Sequence, residues 1–85
     1  MPMPESGIWR WIHPHKRRWY LLLLHQDLFG DWVLLRAWGG LDSRRGGERK
    51  EILDDIGNAE RLVKEIRRTR LRHGYRPAQP PQGQP

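Results

Sequence analysis

No cysteine occurs among the 85 residues. That excludes a disulfide-stapled fold, a thiolate zinc site, a cysteine nucleophile and a CxxC redox centre. Serine is almost as scarce: Ser6 and Ser43 are the whole supply, and neither lies in a GxSxG elbow. The glycines match neither GxxxxGK[ST] nor GxGxxG. His13 and His15 form a His-x-His pair, but no carboxylate or thiol stands beside it at zinc-ligand spacing. No enzymatic activity, cofactor or metal is therefore expected. Long apolar runs are missing too. The longest aliphatic run, Leu21–Leu24, falls far short of the roughly 20 residues that cross a bilayer. Met1–Gly7 shows no basic stretch followed by an apolar one, so no signal peptide is expected, and the expectation is a soluble, cytoplasmic protein with no membrane partner.

What is present is positive charge and tryptophan. Sixteen Lys plus Arg stand against ten Asp plus Glu, a formal charge of +6, and five residues are Trp in a chain only 36% apolar. A domain of this size buries roughly 60% of its unfolded surface, which leaves little room for a deep catalytic cleft. The cations gather in three clusters: Lys16-Arg17-Arg18, Arg44-Arg45 with Arg49-Lys50, and Arg67-Arg68-Arg70-Arg72. Arg dominates over Lys, and its planar fork suits bidentate phosphate contacts. Clusters of this kind fit the phosphate backbone of a nucleic acid. The last cluster has a second explanation, because cations near a helix C-terminus complement its dipole.

The pattern predicts one α+β domain over residues 8–75, between a flexible, Pro-rich 1–7 and a Pro-rich, disordered tail at 76–85. Residues 19–26 and 32–38 read as two strands joined by a turn, with Gly30 free to take a positive φ. With period two, Trp32, Leu34, Arg36 and Trp38 share one face; Val33, Leu35 and Ala37 share the other. The second face is the smoother and more apolar, so it is expected to carry the core. Gly39-Gly40 is expected to end the strand. Residues 48–53 and 8–13 are candidate further strands, the latter at an edge and ended by Pro14. From Asp55 or Asn58 to His73, apolar residues recur at helical spacing: Ile56, Ala59, Leu62, Val63 and Ile66, with Arg70 in the same register. Gly74 suits a helix stop, and Tyr75 is placed to fold back onto the sheet. The sum is a small antiparallel β-sheet with one amphipathic C-terminal helix packed on one face.

The order of these features resembles a known family. A strand beginning Trp19-Tyr20 leads through Gly30-Asp31-Trp32 to a strand ending Trp38-Gly39. A Gly-rich basic loop, Ser43-Arg44-Arg45-Gly46-Gly47, follows, and an amphipathic helix closes with His73-Gly74-Tyr75. This resembles the WGR domain over about residues 16–76. The resemblance implies a small α+β unit. In nuclear poly(ADP-ribose) polymerases such a unit engages DNA ends and contacts neighbouring domains, and short stand-alone bacterial proteins also carry it. This chain resembles the stand-alone form. The Trp and Gly of the signature correspond to Trp38 and Gly39, but its Arg is replaced by Gly40.

The expected function is sequence-independent nucleic-acid binding, to DNA more than RNA, at ends or nicks, by a monomer. Arg36, Arg44 and Arg45 are expected to contact phosphates, helped by Lys16, Arg17 and Arg18. Trp38 either stacks on a base or sugar or covers the sheet. The alternative function is docking on a larger DNA-processing protein, for which an acidic partner groove suits the positive charge.

Overall fold

The computed structural model describes residues 7–78. Along the chain these form β1 (Gly7–His13), β2 (Arg18–Gln26), β3 (Trp32–Gly40), β4 (Gly46–Leu53), α1 (Ile56–Arg72) and β5 (Arg76–Pro77). The strands make one antiparallel sheet in the order β4-β3-β2-β1-β5. The α+β class expected from the pattern is the observed one. No helix among the described residues is long and apolar enough to cross a membrane.

The helix covers the face opposite to the expected one. Ala59, Val63 and Ile66 pack on Trp11, Tyr20, Leu22, Leu24 and Leu34, with Trp9 and Trp32 closing the margin. Register places Trp32, Leu34, Arg36 and Trp38 on this side. Leu22 and Leu34 are fully buried, each contributing about 1.5–3 kcal/mol of transfer free energy. The Arg at 36 does not keep this face in water, because Glu51 neutralises it from the adjacent strand: Nη2 donates to Oε1 at 2.9 Å, with both side chains about three-quarters buried. Val33, Leu35 and Ala37 belong instead to the side without a helix.

Three boundaries also differ from expectation. Gly7 is the first residue of β1 rather than part of the N-terminal segment. β3 runs through Gly39 and Gly40 rather than ending before them, because both glycines pair: Gly39 with Trp19 and Gly46, Gly40 with Arg18. Here glycine serves close approach. A Cβ on Gly39 would lie 2.8 Å from the Trp19 indole and 2.9 Å from the carbonyl oxygen of Arg45. At the other end, Arg76 and Pro77 are not tail. They pair with Ile12 and Trp11, and the Ala78 N–H donates to the Arg10 carbonyl at 2.8 Å. The outer edge of β1 has backbone groups to satisfy, and Pro77 is tolerated there because an edge strand needs fewer donors. β1 is therefore an inner strand, not the edge. The rest of the expected tail, 79–85, and the expected flexible 1–6 lie outside the described residues.

α1 starts after Asp55, one of the two starts read from the sequence, and stops at Gly74 as its sequence predicts. The Asp55 carboxylate accepts from the Asn58 N–H at 2.8 Å as N-cap. At the C-terminus Gly74 takes φ +90, while the Tyr75 N–H donates to the Arg70 carbonyl at 3.0 Å and the Gly74 N–H to that of Leu71 at 3.2 Å. This double bond pattern is the Schellman motif. It turns the chain so that Tyr75 returns beside Arg70. Gly74→Ala is expected to destabilise the domain by about 1–2 kcal/mol through the left-handed backbone alone. The new Cβ would also lie 2.8 Å from His13 Nε2. Thermal unfolding by circular dichroism should show a midpoint lower by roughly 4–16 °C; an unchanged midpoint would contradict the account.

The β2–β3 turn is equally well braced. Asp27 Oδ1 accepts from the N–H groups of Phe29 and Asp31, both at 2.9 Å, and Gln26 Nε2 donates to the Gly30 carbonyl at 2.9 Å. Gly30 has φ +87, as its place in the turn predicts.

Candidate nucleic-acid interface

Where α1 ends, four elements converge on a row of rings and one guanidinium. Arg70 lies in the apolar register of the helix and so points at the sheet. Its Cζ sits 4.4 Å from the centroid of Tyr20 and 4.9 Å from that of Tyr75, inside the range of cation–π attraction. Tyr20 on β2 is buried, edge-on to Trp11 at 6.0 Å and to Tyr75 at 6.2 Å. Tyr75 in turn meets His13 edge-on at 5.3 Å. Trp38 on β3 continues the row, near-parallel to Tyr20 (21°) at 6.4 Å. Its other support is Gly47 on β4, where a Cβ would lie 2.9 Å from the indole. The absent side chain lets the indole lie down on the strand. Trp38 still keeps 39% of its surface exposed, so it both covers the sheet and offers a free ring surface.

Trp38, Tyr20, Tyr75, Arg18, Arg45 and Arg70 line a cleft of about 440 Å³ here, with Gly39, Gly40 and Ser43 at its wall. A second recess of about 460 Å³ shares Arg18, Arg70 and Tyr75 and adds Lys16, His13 and His73. No Asp or Glu lines either one. Four full positive charges therefore line these two adjoining recesses, beside apolar aromatic walls that screen them less than water does. Such a place attracts anions.

Of the residues named from sequence, Trp38, Gly39, Arg18 and Arg45 meet at the cleft, and Lys16 stands at the adjoining recess. Arg44 is exposed in the same loop but does not line the cleft. Arg36 is held against Glu51 under the helix side. Arg17, in a left-handed turn conformation (φ 54), makes a two-pronged pair with Asp42 at 2.5 and 3.1 Å. The Leu41 N–H donates to the Arg17 carbonyl at 2.9 Å, so the β1–β2 turn and the β3–β4 loop are clipped together. The hydrogen bond from Arg17, with its charge, holds the Asp42 carboxyl below the usual carboxylate range and raises the Arg17 guanidinium in return. The pair is open to solvent, so its attraction is screened. Because the Asp42 pKa is lowered in the fold, the clip contributes at neutral pH and is lost only as acid titrates Asp42.

Sequence reasoning missed Tyr20, Tyr75 and Arg70 as site residues. Arg70 carried a signal: a cation in the apolar stripe of a helix must meet rings, a carboxylate or a ligand. Its Nε is buried without a hydrogen-bond partner among the described residues, so the rings, not a carboxylate, compensate it.

Gly40 sits on the same side as Trp38 at the cleft wall. Its backbone is not left-handed, and a Cβ there would meet only the Ser43 hydroxyl, at 2.9 Å, a group that can rotate away. Gly40→Arg is therefore expected to fold normally and add a fourth cation to the cleft. A phosphate backbone seated in this cleft should then be held roughly tenfold more tightly, with a salt dependence steeper by about 0.9 in the log–log slope. A titration at several salt concentrations checks both values, and an unchanged slope would mean that position 40 does not face the ligand.

Compared with protein-family models, curated proteins and solved structures, the chain matches none of them.

Proposed function

We propose that this chain is a WGR-type module that binds nucleic acid, DNA in preference to RNA, at ends or nicks and without reading sequence. The observation that carries the reading is the cleft in which Arg18, Arg45 and Arg70 stand beside the half-exposed Trp38 with no carboxylate among them. In this reading the guanidiniums hold backbone phosphates. Arg70 is pre-oriented by the two tyrosine rings, so little side-chain entropy is lost on binding. The free surface of Trp38 stacks on a base or sugar that an end or nick exposes. Lys16 extends the phosphate track through the adjoining recess. In this reading the contacts go to phosphates and to one stacked base or sugar, so they position without specifying sequence. The same proposal includes a monomeric, non-enzymatic protein acting in the cytoplasm.

The test is fluorescence anisotropy of a labelled blunt duplex at about 50 and 200 mM salt, with closed circular DNA as competitor. Four phosphate contacts give a log–log slope near −3.6, so affinity should fall about 150-fold over that range. Circular DNA should compete poorly. Equal competition would remove the preference for ends, and no binding at low salt would remove the function.

A further inference from the structure

The side of the sheet without the helix is the more unusual surface. Register sets Leu21 of β2 opposite Ala37 of β3 and Leu23 opposite Leu35, with Trp19 and Val33 at the two ends of the band opposite Gly39 and His25, flanked by Ile8 and Ile12 on β1 and Ile52 on β4. Ile8 is 39% and Ile52 66% exposed; Trp19, Leu21, Leu23 and Leu35 are half-buried, and no helix among the described residues covers them. Contiguous apolar surface on this scale marks a binding face more often than an accident of composition.

Charge and width say what fits it. Arg10 on β1 and Arg76 on β5 stand along one margin; Lys50 stands along the other, with Glu48. Three cations against one carboxylate frame the apolar band. A second copy would bring another face of the same sign onto this one, and each copy carries +6, so like charges would oppose the pairing. The margins on β1 and β4 are three strand spacings apart, about 14 Å. A helix with its side chains is about 10–12 Å across. A helix lying along β2 and β3 therefore covers the band and brings its flanks to the margins.

We propose that this face docks an amphipathic helix of another protein, with its apolar stripe on Leu21, Leu23 and Leu35 and acidic side chains meeting Arg10 and Arg76. The band extends about 20 Å along the strands, which a helix spans in about 13 residues. The bound helix would lie opposite α1 and complete a three-layer arrangement. The stripe of Leu21, Leu23 and Leu35 lies outside the cleft, with Trp19 at the boundary of the two.

The experiment pans a displayed library of helical peptides, fourteen residues or so in length, against the full chain, with depletion on Leu23→Gln/Leu35→Gln. Enriched peptides should carry apolar residues at helical i, i+3, i+4, i+7 spacing with Asp or Glu on the flank. The best of them should bind about tenfold more weakly to Leu23→Gln/Leu35→Gln, whose circular dichroism and DNA affinity stay as in the parent. Arg10→Glu/Arg76→Glu leaves the apolar band intact and should turn the preference toward Lys-flanked peptides. Enrichment of basic or non-amphipathic peptides, or none, overturns the proposal. So does a dimer in sedimentation equilibrium that Leu23→Gln/Leu35→Gln abolishes, which would assign the face to a second copy. Tighter binding to phosphatidylglycerol vesicles than to any peptide overturns it in favour of a lipid surface.

Discussion

Arg45→Ala/Arg70→Ala is expected to halve the salt dependence of nucleic-acid binding, from a log–log slope near −3.6 to one near −1.8. Between 50 and 200 mM salt the variant should then lose only about 12-fold in affinity, where the parent loses about 150-fold. At low salt the pair should cost about 3 kcal/mol, taking each charge-assisted contact at the lower end of its range, or roughly 150-fold in affinity. Both residues line the cleft from different elements, Arg45 from the β3–β4 loop and Arg70 from α1, so their loss together removes charge from both walls. Arg70 also lies over Tyr20 and Tyr75, and losing that stacking should lower stability by about 0.5–2 kcal/mol. Titrations should therefore run well below the unfolding midpoint. Arg70→Lys separates the two roles. A point charge remains, so the slope should hold; the planar fork and its stacking are gone, so affinity should fall. If the double variant keeps the parent slope, the cleft is not where phosphate binds.

Trp38→Ala should weaken binding to duplex ends or nicks by about 1–3 kcal/mol, roughly 5- to 150-fold, the range for loss of one stacking ring. The slope against salt should not change, because the indole carries no charge. This contrast distinguishes a stacking residue from a phosphate contact within one set of titrations. Binding to closed circular DNA, which offers no end, should be nearly unaffected. Trp38→Phe should retain part of the affinity. Trp38 also packs near-parallel to Tyr20 and over Gly47, so some stability is lost as well, and an equal loss on linear and circular DNA would mean that only this packing role is real.

The two expectations differ in how readable they were. Trp38 and Arg45 stand out in sequence because the Trp-Gly pair and the basic Gly-rich loop are adjacent, and adjacency survives folding when a strand and its following loop form one hairpin. Arg18 follows from the same logic, since an antiparallel partner brings it opposite Gly40. Arg70 and Tyr75 could not be placed that way. They reach the cleft only because the helix crosses the sheet and its C-terminal cap turns the chain back. Arg36 shows the reverse error. Between Leu34 and Trp38 it looked like a phosphate ligand on an open surface, but Glu51 is diagonal to it across β3–β4 and takes the charge.

Local chemistry in the chain was enough to place β1 to β4 and α1: short apolar or alternating runs, a Gly-bearing turn, and a Gly stop after a stripe of helical spacing. It was enough, too, to set the positive charge and the absence of any thiol chemistry. Only the tertiary structure decided which side of the sheet the helix covers, that Gly39 and Gly40 continue a strand, that Arg76 and Pro77 belong to the sheet, and that Arg70 completes the cleft. The reason is physical. Strand periodicity separates two faces, but both faces here are apolar, and which one is covered depends on how the helix reaches across strands distant in sequence. Burial and pairing between such distant residues are properties of the folded arrangement, not of any one segment.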